Sequence, residues 1–269
     1  MNNLFAYILT LKHDADPVLG ELVQELDKLG FASRIVKGVR GADLWAGEYF
    51  NLMAQAQKTH GYQLSPGEIG CALGHKKIYA EIMASGAQMA LVFEDDVDLR
   101  AFAAHASAVV HAMMTSTPDF LHLGGMDGLA CKRDIFGRRL EGEWGIYEIE
   151  PESLPDLHRM CGYALSARLA SDLYAELERC IFRIDDYTVV GSLIPNCSIF
   201  YWPIVGHPVD LSKSEIEEER EMLRRTRSPR PLIQRIAGEL AETYRNRRKK
   251  FALKAARRRK GFVRVHDAD

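Results

Sequence analysis

The apolar positions of the first hundred residues alternate between short continuous runs and helical stripes. Phe5-Ala6-Tyr7-Ile8-Leu9-Thr10-Leu11 is a β-prone run and predicts a first strand. Val18, Leu22, Val23, Leu26 and Leu29 recur at helical spacing over residues 17–29, and Gly30 is placed to stop that helix. Phe31 to Val39 is again β-prone, with alternating apolar residues. Ser65-Pro66-Gly67-Glu68 carries three marks of a helix start: a capping hydroxyl, a proline for the first helical position, and a glutamate that can reach back to the cap. The helix it opens is expected to run to about Ser85, with Ile69, Leu73 and Ile82 or Met83 inward and His75 one turn after Cys71. Met89-Ala90-Leu91-Val92-Phe93 reads as a strand buried on both faces and runs straight into Glu94-Asp95-Asp96. Strand, helix and strand in this order predict an α/β fold built on a parallel sheet flanked by helices.

The later pattern is less regular. Residues 100–115 are alanine-rich and predict a helix. Phe120 to Leu123 predicts a short strand ended by Gly124-Gly125. Residues 126–144 show no periodicity and read as a long mobile loop of the kind that covers a site. Ile146 to Ile149 is a further strand candidate. Cys161 to Ser166 reads as a strand entering a helix, with Ser166 as its cap and Leu169, Leu173, Tyr174 and Leu177 as its inner stripe. Ile199-Phe200-Tyr201-Trp202 is an apolar, aromatic strand expected to pack in the core and to end at Pro203. From about Glu215 acids and bases alternate as on a solvated helix, until Ser228-Pro229-Arg230-Pro231 breaks it. Leu232, Ile233, Ile236, Leu240, Tyr244, Phe251 and Leu253 then stand among many bases. The chain therefore divides into a body, residues 1–215, and a basic helical tail, residues 216–269.

Charge sharpens that division. The formal net charge of −2 over 269 residues conceals 18 Lys and Arg against 32 Asp and Glu in residues 1–219, and 17 against 5 in residues 220–269. Residues 245–260 hold ten Lys and Arg and no acid. A basic amphipathic tail predicts docking to an anionic membrane surface, with a merely solvated tail as the alternative. Nucleic acid is not an expected partner, because the acidic body would be repelled. No apolar run approaches the roughly 18–20 residues of a membrane span. Met1-Asn2-Asn3-Leu4 lacks the basic start of a signal peptide. The five cysteines are far apart, with no CxxC spacing, so reduced thiols in a cytoplasmic protein are expected.

The candidate chemistry centres on Glu94-Asp95-Asp96. Three adjacent carboxylates repel one another, and a divalent cation between them removes most of that cost. In an extended segment Glu94 and Asp96 point one way and Asp95 the other. Glu94 and Asp96 then suit a hard cation, Mn²⁺ or Mg²⁺, shared with a diphosphate; a solvated acidic turn is the plainer alternative. The turn after the first strand, Thr10 to Asp14, is placed where such sheets touch a nucleotide. No glycine-rich phosphate loop is present, which argues against a dinucleotide fold, a P-loop or a nucleotidyltransferase. Asp185-Asp186 is a second acidic pair, readable also as a helix cap or loop pair.

Several segments together resemble glycosyltransferase family 25: Tyr7-Ile8-Leu9-Thr10-Leu11-Lys12, then Leu64-Ser65-Pro66-Gly67-Glu68-Ile69-Gly70-Cys71-Ala72-Leu73-Gly74-His75, then Ala90-Leu91-Val92-Phe93-Glu94-Asp95-Asp96-Val97. Phe120 to Gly124, Gly162 to Ala167 and Ile184 to Tyr187 are similar with less specificity. The chain departs from the family pattern at Gly74, where serine is usual, and after Lys12, where an arginine is usual. The resemblance implies a GT-A-like, nucleotide-sugar-binding sheet. It implies an inverting transfer of a hexose, galactose from UDP-galactose first among them, onto a lipopolysaccharide or lipooligosaccharide glycan. It assigns Glu94 and Asp96 to the metal. Thr10, Lys12, Glu68, His75 and Asp95 fall to the donor side, with Glu68 equally readable as a capping carboxylate and His75 as a structural residue. Asp185 and Asp186 are the candidates for the catalytic base. The implied partners are a nucleotide-sugar donor and a lipid-linked acceptor at the inner face of the plasma membrane. A non-catalytic, membrane-bound glycan- or nucleotide-binding scaffold of the same fold is the alternative.

Overall fold

In the computed structural model, the structure describes residues 4–115, 118–141, 145–210, 215–226, 243–244, 247, 249–255 and 261–267. Among these residues its centre is a nine-stranded sheet whose third strand is the apolar run before the three acids. In chain order the strands are β1 (Phe5–Thr10), β2 (Ala32–Lys37), β3 (Met89–Glu94), β4 (Phe120–Gly124), β5 (Phe136–Arg139), β6 (Tyr147–Ile149), β7 (Gly162–Ser166), β8 (Phe200–Val205) and β9 (Phe262–Arg264). They pair in the order β2-β1-β3-β7-β4-β8-β6-β5-β9. The helices are α1 (Pro17–Lys28), α2 (Ala46–His60), α3 (Pro66–Ser85), α4 (Arg100–Thr115), α5 (Ala167–Arg179), α6 (Tyr187–Ser192) and α7 (Glu215–Thr226).

The pleat sorts the strand residues between two cores. Tyr7, Leu9, Ala90, Val92, Tyr163 and Leu165 face the side covered by α3, α5 and α6. Ala6, Ile8, Leu91, Phe93 and Ala164 face the side covered by α1 and α4. Strand alternation of this kind on a doubly covered sheet leaves β3 apolar at every position until Glu94. Burying each of Leu91, Val92 and Phe93 contributes about 1.5–3 kcal/mol, which fixes the point where the acids emerge.

The sheet is mixed rather than parallel. β1 pairs in parallel with β2 and β3, but β7 enters between β3 and β4 antiparallel to both. Ser166 accepts from the Leu169 N–H and caps α5. Two further expectations are corrected, and one helix occurs where none was predicted. Helix α2 occupies a stretch with no strong apolar stripe: only Ala56 on it is buried, and Trp45 starts it without a side-chain cap. The segment 126–144 is not one structureless loop, because β5 lies within it, pairing with β6 and β9. Pro203 does not end β8, which continues to Val205. The β4–β8 register shifts between His122 and Gly124, so Pro203 falls where no ladder partner requires its missing N–H.

Three parts of the C-terminal region meet the body. α7 lies against the start of α3, and β9 adds an edge to the sheet, with Val265 buried beyond it. Leu253 is also buried, and Lys249 donates to the Asp134 carbonyl at 3.0 Å. Residues 227–242, 245–246, 248, 256–260 and 268–269 of the expected tail lie outside the described residues.

Candidate active site

α3 supplies one wall of the site, and its start is fixed by the expected capping box. Ser65 accepts from the Glu68 N–H at 3.1 Å, and Glu68 accepts from the Ser65 N–H at 2.8 Å. Glu68 does more than cap. Its other oxygen accepts from Arg183 and from Arg220, each at 2.9 Å. Burial would raise this carboxyl, but Arg220, the Ser65 N–H and Arg183 together hold it below its usual value. One carboxylate thus joins α3 to α7 and to the loop before α6. α7 is anchored a second time: Glu219 accepts from the Gly67 N–H at 2.6 Å, an amide that the first turn of α3 leaves without an internal partner.

The loop after β2 is pressed onto the same helix. A Cβ on Gly41 would sit 1.6 Å from the Pro66 carbonyl oxygen, and one on Gly70 would sit 2.3 Å from that of Val39. Only glycine permits this approach. The loop, the end of β1 and the acids after β3 enclose a cavity of about 440 Å³ lined by Thr10, Lys12, Arg40, Gly41, Glu94, Asp95 and Asp96 among others. Gly74 meets this wall from behind: a Cβ there would lie 2.9 Å from a Leu9 methyl carbon, so a larger residue would require Leu9 to shift.

At the end of β3 the three acids separate as expected, although Asp95 and Asp96 form a turn rather than extended chain. Asp95 turns toward β1. It accepts from the Thr10 hydroxyl, and Lys12 Nζ lies 3.2 Å from its carboxylate and donates to its carbonyl at 2.9 Å. Glu94 and Asp96 converge with His207, a residue after β8 that the sequence did not single out; one ligand atom of each lies within 4.8 Å of the others. His207 Nε2 is 3.4 Å from Asp96. Burial, then the charge of Glu94, raises the Asp96 carboxyl, against the pull of His207. Burial would also raise Glu94, but His75, His207 and Arg159 more than offset it and keep it low. Two carboxylates and an imidazole at this spacing fit a divalent cation with oxygen and nitrogen ligands.

His75 is fully buried beneath Glu94, with Nε2 3.7 Å from the carboxylate, and its Nδ1 is 2.7 Å from the Tyr163 hydroxyl. Cys71 Sγ lies 3.9 Å from Glu94. Cys71, Glu94 and Ile216 also line a smaller cavity of about 130 Å³, on whose far side lie Arg159, Arg183, Asp185 and Arg220. Those four residues continue into a third cavity of about 340 Å³ with Gln63, His158 and Leu223. Glu94 therefore stands at the passage between the cavity of Thr10 and Lys12 and that of Asp185.

The two acids of the second pair are placed differently. Asp186 caps α6, accepting from the Thr188 and Val189 N–H groups, and takes the Tyr62 hydroxyl at 3.2 Å. Asp185 faces both smaller cavities. One of its oxygens accepts from the Arg159 N–H at 3.1 Å, and the other is buried without a hydrogen-bond partner. Arg159 is held in a left-handed conformation, φ 62°. Its carbonyl takes the Tyr187 hydroxyl at 2.7 Å and His122 Nε2 at 2.9 Å, and its guanidinium donates to the Gly125 and Asp127 carbonyls. His122 is buried on β4 and its pKa is driven to about 4, chiefly by desolvation, so it stays neutral and serves as a fixed donor. This network over-determines the strained residue that orients Asp185.

Residues 6–133 match the family model described as glycosyltransferase family 25 (LPS biosynthesis protein). Among solved structures the chain is similar to one described as mannose-1-phosphate geranyltransferase from Thermus thermophilus, at 14% identity, covering 77% of this chain and 75% of that one, with a TM-score of 0.37. It is also similar to A197 from STIV, at 11% identity over 77% and 86% of the two chains, TM-score 0.41. A third similar structure is CMP:2-keto-3-deoxy-manno-octonic acid synthetase complexed with CTP, at 10% identity over 83% and 99%, TM-score 0.41.

Proposed function

We propose, with the match of residues 6–133 to glycosyltransferase family 25 as premise, that the chain moves a hexose from a nucleotide diphosphate sugar onto a lipopolysaccharide or lipooligosaccharide glycan with inversion. Galactose from UDP-galactose is the donor favoured by the family resemblance. The observation that carries this reading is the convergence of Glu94, Asp96 and His207, the two carboxylates lining the 440 Å³ cavity and His207 the adjoining 130 Å³ one.

In this reading Glu94, Asp96 and His207 hold Mn²⁺ or Mg²⁺, which supplies charge neutralisation for the departing diphosphate. Thr10 and Lys12 fix Asp95 and so the turn that carries Asp96; Lys12 adds positive charge to the wall where the diphosphate lies. Asp185 takes the proton from the acceptor hydroxyl. The hydroxyl oxygen forms its bond to the anomeric carbon as the bond to the diphosphate oxygen breaks, and that electron pair leaves with the nucleoside diphosphate. The unpartnered, buried oxygen of Asp185 supports this assignment, because a hydroxyl donor would satisfy it. Glu68 has a positioning role through Arg183 and Arg220 rather than direct contact with the donor.

Screening UDP-, GDP- and CMP-sugars for hydrolysis with and without Mn²⁺ tests the reading. Metal-dependent release of the nucleoside diphosphate from one donor class is expected. Metal-dependent UDP binding without turnover on any donor or glycan would instead favour the scaffold.

Attachment to the inner face of a membrane belongs to the same proposal. Its support is the run of bases in residues 245–260 and the exposure of Tyr244 and Phe251 beside it; no helix among the described residues is long and apolar enough to cross a membrane. Deleting residues 228–269 would also remove β9 and buried Val265, so neutralising Arg257, Arg258, Arg259 and Lys260 is the cleaner change. The neutralised chain should lose co-sedimentation with anionic vesicles, and the wild type should lose it as salt rises. Unchanged sedimentation would refute docking.

A further inference from the structure

We propose that Cys71, His75 and Glu94 form a second metal site, selective for a thiophilic ion of the Zn²⁺ class and distinct from the Glu94–Asp96–His207 cluster. Cys71 and His75 are four residues apart on α3, so they project from one face, one turn apart. Glu94 meets them from the end of β3. One ligand atom from each lies within 4.8 Å of the other two, with Sγ to Oε1 at 3.9 Å and Nε2 to Oε1 at 3.7 Å. Around tetrahedral zinc, ligand atoms about 2.0–2.3 Å from the ion stand roughly 3.3–3.7 Å apart. The two separations to Glu94 therefore need only a small contraction to coordinate, and the third pair lies within 4.8 Å.

The second observation is His75 itself. Its ring is fully buried, and Nε2 has no hydrogen-bond partner. A distance of 3.7 Å to Glu94 is too long for a hydrogen bond. The other side of the ring is engaged: Nδ1 lies 2.7 Å from the Tyr163 hydroxyl. That leaves Nε2 directed at the Glu94 carboxylate with no hydrogen bond between them, a gap that a cation coordinated by both would fill. Orientation of a ligating imidazole through its far nitrogen is how protein metal sites hold histidine.

The donor set separates the two clusters. A thiolate, an imidazole and a carboxylate select zinc over magnesium or manganese, whereas two carboxylates and an imidazole favour the harder ions. Binding releases the Cys71 S–H proton to solvent. Cys71 and Glu94 both line the 130 Å³ cavity, so the fourth position is open to water. Glu94 belongs to both sets. Resting on the glycosyl-transfer reading, a thiophilic ion at Cys71 would draw Glu94 from the donor-side cation and inhibit; the site itself stands without that reading.

The test is a titration of the metal-stripped full-length chain with Co²⁺, followed by competition for Zn²⁺ against a chromophoric chelator. One Co²⁺ should give tetrahedral visible bands and a thiolate-to-cobalt charge-transfer band. Cys71→Ser should lose the charge-transfer band and weaken Zn²⁺ binding by at least roughly 100-fold, with its circular dichroism unchanged. Asp96→Asn and Cys161→Ser should keep both signals. Absence of the charge-transfer band in the wild type, its persistence in Cys71→Ser, or its loss in Cys161→Ser would each overturn the site. The readout involves no sugar nucleotide, so it is independent of whether the chain proves to be a glycosyltransferase.

Discussion

Asp96→Asn is expected to lower metal-dependent hydrolysis of the nucleotide sugar by about 10²–10³-fold, the usual loss when one charge-stabilising group is removed from such a centre. The change is nearly isosteric. Asp96 is 44% exposed in a surface turn, and its side chain is 3.4 Å from His207, so no core contact is lost. What changes is charge: the amide removes one anionic oxygen from a cluster in which the neighbouring Glu94 charge adds to burial in raising the Asp96 carboxyl. Initial rates over a Mn²⁺ series check this. A higher metal requirement with an unchanged melting temperature is the expected pattern. Full activity of the variant in the presence of a chelator would sink the metal assignment.

Asp185→Asn should reduce kcat by about 10²–10⁴-fold, the range for loss of a general base, with little effect on the donor KM. The asparagine carbonyl can still accept from the Arg159 N–H, so the strained loop keeps its anchor. Asp186→Asn is the matched comparison. Asn caps helices as well as Asp does, so α6 should remain intact and activity should stay near that of the wild type. Single-turnover transfer to the glycan separates the two. Loss in Asp186→Asn with retention in Asp185→Asn would move the base to Asp186.

Local signals in the sequence located much of this. Ser65, Pro66 and Glu68 specify a helix start through contacts within four residues, and the capping box formed as expected. The apolar run before Glu94 specified a buried strand and the place where carboxylates leave the sheet. Signals carried by tertiary contact were not legible. His207 is a lone histidine after an aromatic strand, and the antiparallel bridge between Asp98 and Gly206, more than a hundred residues apart, brings it to Asp96. The partners of Glu68, Arg183 and Arg220, are more than a hundred residues away. α2 lacks an N-terminal side-chain cap and a strong apolar stripe, so only its end, at the left-handed Gly61, carried a mark. Asp185 and Asp186 are adjacent and chemically alike. Their different surroundings follow from the Arg159 loop and the start of α6, not from their own identities.

The place of β7 in the sheet bears on how this protein can be divided. Residues 162–166 are inserted between β3 and β4, so two strands from the first half of the chain meet only through one from the second. A polypeptide ending at residue 133, where the family match ends, would have β3 and β4 but nothing to join them, and both would present bare backbone edges flanked by apolar side chains. Such a fragment should aggregate rather than fold. During synthesis the same constraint leaves those edges open until β7 has emerged, and recombination with relatives at that boundary would divide one folding unit rather than exchange two.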